Sequence, residues 1–402
     1  MAMTVGTRRA GHAPVLVASV ALVLVGACGS DPVSDRNTGL GVAGVNGGGA
    51  AAVGGVGGTG GAGGRAGAGG MYNPDPNDGL GGLGGVGGMD MECAGVRINA
   101  SRILPTVMLV VDGSTSMLDP YGEPVAVDGG MPDPSTLPSR WSSVREALIG
   151  AEGVVPKLQD RVRFGLAVFG TQASCPLPLG TIAPELNNAP AIIAGVQAQP
   201  PGMFTPTGVA LDQVVDILPD PTMILDGPPI GPQIILLATD GDPNACDGGG
   251  FFPVTDYVPS INAALKGQAK HLRMYVVSVG QDAAASHLQE MANIGANLDR
   301  ATGTAEVYYP DNTAALTATL ETLIGAELSC ELSLEGKGVK PGLECTGTVL
   351  FNGAELECNG PDGFSLKDEK TITLNGTTCE TFKNSIDTTI DAEFPCEAVI
   401  IL

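Results

Sequence analysis

The chain has 402 residues and a formal net charge of -23, from 43 acidic side chains against 20 lysines and arginines. A phosphate backbone needs a basic face that such a chain does not supply, so nucleic acid is excluded as a partner and loose adsorption to anionic lipid is disfavoured. The acidity suits divalent cations or a basic partner, and above all it keeps the chain soluble.

Arg8 and Arg9 precede an apolar run from Ala13 to Ala27, which is short for a membrane span and has the build of a signal peptide. The run ends in Val25-Gly26-Ala27-Cys28, small residues directly before a cysteine, and this resembles the lipobox of bacterial lipoproteins. That resemblance implies cleavage before Cys28, diacylglycerol on its sulfur and, since Gly29 and not Asp follows, sorting to the outer membrane of a Gram-negative cell. An ordinary secretory signal with an incidental cysteine has the same flanks. Residues 1–27 are read as the lipoprotein signal peptide. No later segment is long and apolar enough to span, so the membrane is reached through the lipid anchor alone.

Residues 28–92 form the next unit. Gly39 to Gly88 holds 24 glycines in 50 residues without a Gly-X-Y period, the composition of a disordered tether. As a Gly-rich coil its reach is roughly 40 to 50 Å, enough to hold a folded domain off the bilayer.

In residues 93–328 short apolar runs alternate with helical patterns, which predicts an α/β domain: a doubly wound, mostly parallel central sheet flanked by helices. Thr106–Val111, Val162–Phe169, Gln233–Ala238 and Arg273–Val279 are nearly continuous in Val, Ile, Leu and Met, as strands covered on both faces should be. Leu211, Val214, Val215 and Leu218 predict one helix, and Leu316, Leu320, Leu323 and Ile324 another. Trp141 to Leu158 reads as helix interrupted by Gly150, Gly153 and Pro156. Beyond Ser329 the texture changes to short β-like runs, Thr348–Phe351 and Lys370–Leu374, punctuated by Asn352-Gly353, Asp362-Gly363 and Asn375-Gly376. Residues 329–402 are read as a small disulfide-rich β module, stapled because so short and polar a segment buries little core.

Eight cysteines remain once Cys28 is assigned to lipid, and in an exported chain without Cys-x-x-Cys pairs they predict disulfides. Five follow residue 329, so full pairing requires at least one bond reaching back toward Cys93 or the central domain. Cys175 and Cys246 both follow central strands, and a bond between them would brace the loop that carries Asp240.

The first long strand runs into Asp112-Gly113-Ser114-Thr115-Ser116, and Gln233–Ala238 runs into Thr239-Asp240-Gly241-Asp242. If the two strands are neighbours, both carboxylates lie at the carboxyl edge of the sheet, where open α/β sheets bind ligands. Between them in sequence, Thr205-Pro206-Thr207-Gly208 adds hydroxyls just before a helix. Few carboxylates with several hydroxyls suit a hard octahedral cation that keeps some of its waters. Asp242 and Asp247 read as solvated loop charges. An EF-hand is excluded, since Ala245 and Phe251 stand where its glycine and bidentate Glu belong.

Asp-x-Ser-x-Ser, Thr-Pro-Thr-Gly and Thr-Asp-Gly, in this order and on these strand ends, resemble the metal-ion-dependent adhesion site of von Willebrand factor A domains. The resemblance spans roughly residues 100 to 327. It implies that Asp112, Ser114, Ser116, Thr205 and Asp240 hold Mg²⁺ (or Mn²⁺), and that a protein partner presents a carboxylate to the cation. This chain departs from the family pattern in an insertion, Leu118 to Ser139, that directly follows the first ligand loop and borders the metal face.

Catalysis is not expected. His271 precedes a strand and His287 lies on a helical segment, so neither is placed as a base for Ser114 or Ser116. A Gly-x-Ser-x-Gly elbow, a phosphate loop and a His-Glu-x-x-His site are all absent from the sequence. The reading is a cell-envelope lipoprotein that binds protein or mediates adhesion through the cation site. The alternative is an envelope scaffold whose A-type domain is not metal-gated and whose Cys-rich C-terminal module makes the contacts. A factor that assists another secreted protein is a third reading.

Overall fold

A computed structural model describes residues 95–124, 133–170, 180–198, 202–222, 229–244 and 254–401. Cys28, the tether, Cys93, Cys175, Cys246 and Asp247 lie outside the described residues, as does the middle of the insertion. Two short strands come first, β1 (Val96–Ile98) and β2 (Ala100–Arg102). The α/β domain then runs β3 (Thr106–Asp112), α1 (Arg140–Ile149), α2 (Val154–Leu158), β4 (Arg163–Phe169), β5 (Thr181–Glu185) and α3 (Ala189–Gln197). It continues through α4 (Thr207–Ile217), β6 (Gln233–Thr239), α5 (Val258–Ala269), β7 (Arg273–Ser278), α6 (Ala285–Gly295) and α7 (Thr313–Ala326).

The central sheet has the order β5-β4-β3-β6-β7, parallel except for the antiparallel edge strand β5. All seven residues of β3 and of β6 are buried. Side chains alternate across a strand, and here both faces are covered. Val107, Leu109 and Val111 pack with α1, α2, α3 and α7, while Met108 and Val110 pack with α4, α5 and α6. That double coverage is why the strand sequences read as unbroken apolar runs. The chain leaves β3 toward β4 on one side and returns to β6 on the other, so β3 and β6 flank the switch point of the sheet.

The segment read as one interrupted helix is two. Ser139 caps α1, its hydroxyl accepting from Ser142 N at 3.1 Å, and the helix ends at Gly150. Pro156 falls in the first turn of α2, where a missing N–H costs nothing.

The C-terminal module comprises β8 (Glu331–Leu334), β9 (Lys337–Val339), β10 (Thr348–Phe351), β11 (Ala354–Glu355), β12 (Phe364–Asp368), β13 (Thr371–Leu374), α8 (Gly376–Asn384), β14 (Ile390–Phe394) and β15 (Val399–Ile401). Its sheets include β1 and β2. The orders are β1-β14-β10-β11 and β12-β13-β8-β2, and β15 pairs with β9. Residues 96–102, grouped by sequence with the central domain, therefore pair with the C-terminal strands, and the α/β domain is inserted between β2 and β8. Ile98 joins the module's own core with Leu332, Val349, Phe364, Ile372 and Phe394.

Disulfides Cys330–Cys379 and Cys345–Cys358 staple this core, each with Cα atoms 5.3 Å apart. Cys396 is also disulfide-bonded. The four other cysteines of the module pair among themselves, so the odd count of five leaves that bond to run outside it. Asn352 and Gly353 take the positive φ values, 52° and 79°, of a tight hairpin turn between β10 and β11. Asn375-Gly376 behaves differently. It opens α8, and Asp362 caps that helix, its Oδ1 accepting from Thr377 N at 2.7 Å.

Candidate metal centre

Parallel pairing of β3 with β6 places Val111 opposite Ala238, so the two chains emerge side by side and deliver Asp112 and Asp240 to one edge. Both residues are fully buried. Asp112 Oδ1 accepts from Ser114 N at 2.8 Å, and its Oδ2 accepts from the Thr239 hydroxyl at 2.6 Å. Ser116 donates its hydroxyl proton to Asp240 Oδ1 at 2.8 Å. That proton being committed, Ser114 is the donor in the 2.8 Å contact with Ser116 Oγ. The serine protons thus run toward Asp240, and oxygen lone pairs are what the loop offers a cation.

Thr205 reaches the same edge through backbone contacts. Gly202 N donates to Gly113 O at 2.7 Å, pairing the Thr205 loop with the Asp-x-Ser loop. Thr205 N donates to Asn244 Oδ1 at 2.9 Å, and Thr205 O accepts from Asn244 N at 2.9 Å. Three loops are therefore tied into one unit. Gly170, with φ +84°, is part of the seat: a Cβ there would lie 2.4 Å from Phe204 O and 3.1 Å from Ser114 N.

Burial, and then the charge of Asp240, push the Asp112 carboxyl up to about 7, against the hydrogen bonds from Thr239 and Ser114. Burial raises Asp240 as well, although hydrogen bonds from Arg140 and Ser116 pull it down. Two desolvated carboxylates that resist ionising together are the electrostatic condition a cation relieves. Among the described residues no three His, Cys, Asp or Glu side chains form a metal-holding group, so a cation here rests on hydroxyls as much as on carboxylates. The residues fit Mg²⁺ or Mn²⁺.

Sequence reasoning missed two residues of this site. Arg140, at the start of α1, donates from Nη1 to Asp240 Oδ2 at 2.9 Å and pairs with Asp282 at 2.6 Å and Asp119 at 3.8 Å. Asn244 is the clamp on Thr205; its motif context, Asp-Gly-Asp-Pro-Asn, gave only a superficial Ca²⁺-loop signal. Asp242, read as a solvated loop charge, is held: Ala284 N donates to Oδ1 at 2.7 Å and the Tyr257 hydroxyl to Oδ2 at 2.9 Å. The ends of the insertion close on each other, Tyr121 N donating to Pro138 O at 2.8 Å, with Asp119 beside Arg140. His271 pairs with Asp220 at the surface, and His287 is buried against Ser260 and Tyr257.

The sequence model of the von Willebrand factor type A domain matches residues 106–320. Similar solved structures include the pilus adhesin SpaC of Lactobacillus rhamnosus GG, 13% identical with a TM-score of 0.41, the match covering 75% of this chain and 40% of that one. The PilB minor pilin of Streptococcus sanguinis is 16% identical with a TM-score of 0.39, over 56% of this chain and 61% of that one. The manganese-loaded TRAP protein of Plasmodium vivax is 16% identical with a TM-score of 0.36, over 69% of this chain and 96% of that one. This chain spans only 40% and 61% of the length of the first two. No curated protein matches it. With the fold, the order of the motifs and a family match over more than half its length, the chain belongs to the von Willebrand factor type A domain family.

Proposed function

We propose that this is a non-enzymatic binding protein of the cell envelope, anchored by lipid on Cys28, that engages a protein partner's Asp or Glu through a divalent cation held by Asp112, Ser114, Ser116, Thr205 and Asp240. The observation that carries the reading is the hydrogen-bonded run Ser114–Ser116–Asp240 beside buried Asp112 at the sheet edge. Asp112 orients the loop through Ser114 N, Ser114 and Ser116 supply neutral oxygens, and Asp240 supplies charge from the neighbouring strand. Neutral donors leave a bound Mg²⁺ or Mn²⁺ with charge to satisfy, and that is the chemistry it supplies: a Lewis-acidic position for an incoming carboxylate. Buried His287, whose ring is held below the usual histidine range by burial, serves packing in this reading. Among the described residues no helix is long and apolar enough to cross a membrane, which is compatible with anchoring by lipid.

The test is capture of partners from solubilised cell envelope by the immobilised protein, with Mg²⁺ and with chelator, in the parent and in Asp112→Ala. Binding that requires both the cation and Asp112 is the expected result. Capture unchanged by either treatment sinks the proposal and moves attention to the C-terminal module.

A further inference from the structure

Cys396 carries a disulfide, and none of the described cysteines is its partner, because Cys330 is bonded to Cys379 and Cys345 to Cys358. Cys28, Cys93, Cys175 and Cys246 remain. The sheet that ends at Cys396 decides among them. β1 and β14 run antiparallel with Val96 opposite Phe394 and Arg97 opposite Glu393, so the same register brings Gly95 opposite Pro395. The two strands approach closely at this end: a Cβ on Gly95 would lie 2.3 Å from Glu393 Oε1, and Arg97 pairs with Glu393 at 3.6 Å. Cys396 follows Pro395 directly and opens a short 3₁₀ turn, Cys396–Ala398. Cys93 precedes Gly95 by two residues. That span is at most about 7 Å, within which the chain can bring two Cα atoms to the roughly 4.4 to 6.8 Å that a disulfide needs.

The other three are worse placed. The module lies against the amino edge of the central sheet, where Ile103 N donates to Glu331 O at 3.2 Å and Arg161 Nη1 to Lys383 O at 2.7 Å. Cys246 follows by two residues Asn244, which is held to Thr205 at the opposite, carboxyl edge. Cys175 lies six residues past Phe169 and six before Thr181, which pairs with Ala167, so both of its connections start near that carboxyl edge. Six extended residues cover about 20 Å, the length of β4 itself, and would be spent in regaining the amino edge. Cys28 would have to close a loop of about 65 Gly-rich residues, at an entropic cost that Cys93 does not meet. We infer that Cys396 is bonded to Cys93. Its formation takes two electrons and two protons from the thiols and gives them to the disulfide of an external thiol oxidant, which leaves as two thiols. The bond closes a covalent ring around the inserted α/β domain, and it secures β1, a three-residue edge strand with β14 as its one partner strand. Under the anchored reading above, tension on the tether then passes into Cys396 and β14 and leaves β1 unloaded. The bond itself does not depend on that reading.

The test is a disulfide map of the full chain, expressed with export, blocked with N-ethylmaleimide and digested with trypsin without reduction. Cleavage after Arg65, Arg97, Arg163, Lys266 and Lys383 isolates Cys93 in peptide 66–97 and Cys396 in peptide 384–402, and keeps Cys175 and Cys246 together in peptide 164–266. Mass spectrometry is expected to find 66–97 joined to 384–402. Peptide 384–402 joined to any other peptide, to a second copy of itself, or carrying maleimide overturns the inference. In Cys93→Ser the map should show a single maleimide, on Cys396, and amide exchange at Val96–Ile98 should quicken about tenfold. Cys396→Ser should give the same quickening, with the maleimide on Cys93. Exchange at β1 unchanged in both variants would overturn the role given to the bond.

Discussion

Thr239 and Asp112 meet across neighbouring strands, the threonine hydroxyl of β6 donating to Asp112 Oδ2 at 2.6 Å at the point where β3 ends. The contact fixes Asp112 from the side opposite Ser114 N, so the carboxylate is gripped by both strands at the switch point of the sheet. Thr239→Val keeps shape and removes the donor. With Asp112 fully buried, the loss should cost about 1 to 3 kcal/mol, since a desolvated acceptor is left without its partner. Urea unfolding of the cation-free protein measures it.

The same pair of strands sets a pH dependence. The Asp112 carboxyl, at about 7, and Asp240, also raised, ionise less readily in the folded chain than in the unfolded one, where the ordinary value is 3.8. The folded state binds extra protons over that interval. The stability gained is complete below the unfolded value and is lost as pH rises through about 7. In the presence of chelator the melting temperature should therefore rise from pH 7.5 to pH 5.5. His287, depressed by burial, works in the opposite direction over the same range. Comparison with Asp112→Asn isolates the carboxyl: the variant should lose the rise, and an unchanged rise would mean that other groups carry it.

Gly170 gives a prediction about the Thr205 loop. Alanine there is strained at φ +84° and drives a methyl group to 2.4 Å from Phe204 O, so the backbone of the loop must move. Gly170→Ala should lower stability by about 1 to 3 kcal/mol and weaken Mg²⁺ binding. The hydroxyls of Ser114 and Ser116 remain, so binding should be reduced and not abolished. Calorimetric titration separates the two outcomes.

Removal of the staples should unfold the C-terminal core first. Cys330–Cys379 closes a separation of 49 residues and Cys345–Cys358 one of 13. Chain entropy assigns these about 4 and about 3 kcal/mol. Cys330→Ser/Cys379→Ser should lose more stability than Cys345→Ser/Cys358→Ser in denaturant unfolding. β1 and β2 are shared with this module, so amide exchange at residues 96–102 should accelerate along with it.

The central sheet was legible because its four parallel strands, buried on both faces, write themselves as apolar runs that nothing else in the domain imitates. The five candidate ligands were legible because each sits at a strand end or before a helix, positions that sequence order alone fixes. The structure places Asp112, Ser114, Ser116 and Asp240 in one hydrogen-bonded group and ties the backbone of Thr205 beside them. Arg140 was not legible. A lone arginine after an insertion carries no pattern, and its meaning comes from Asp240, 100 residues away in sequence. The edge strand β5 was missed because only alternate residues are partly buried, with Pro184 among them. Strands β1 and β2 were missed as well: an alternation as short as Val96, Ile98 and Ala100 neither marks a strand by itself nor says which sheet will take it. Asn375-Gly376 carried a turn signature and became a helix start, since Asp362 lies close enough to cap it.

Asp112 and its neighbours are proposed to hold a divalent cation. Isothermal titration of the purified protein with Mg²⁺ and Mn²⁺, beside Asp112→Ala and Asp240→Ala, tests it most directly. One site is expected in the parent, lost in Asp112→Ala and at least weakened in Asp240→Ala. A parent that takes up neither ion, or an Asp112→Ala variant that binds as the parent does, would contradict it.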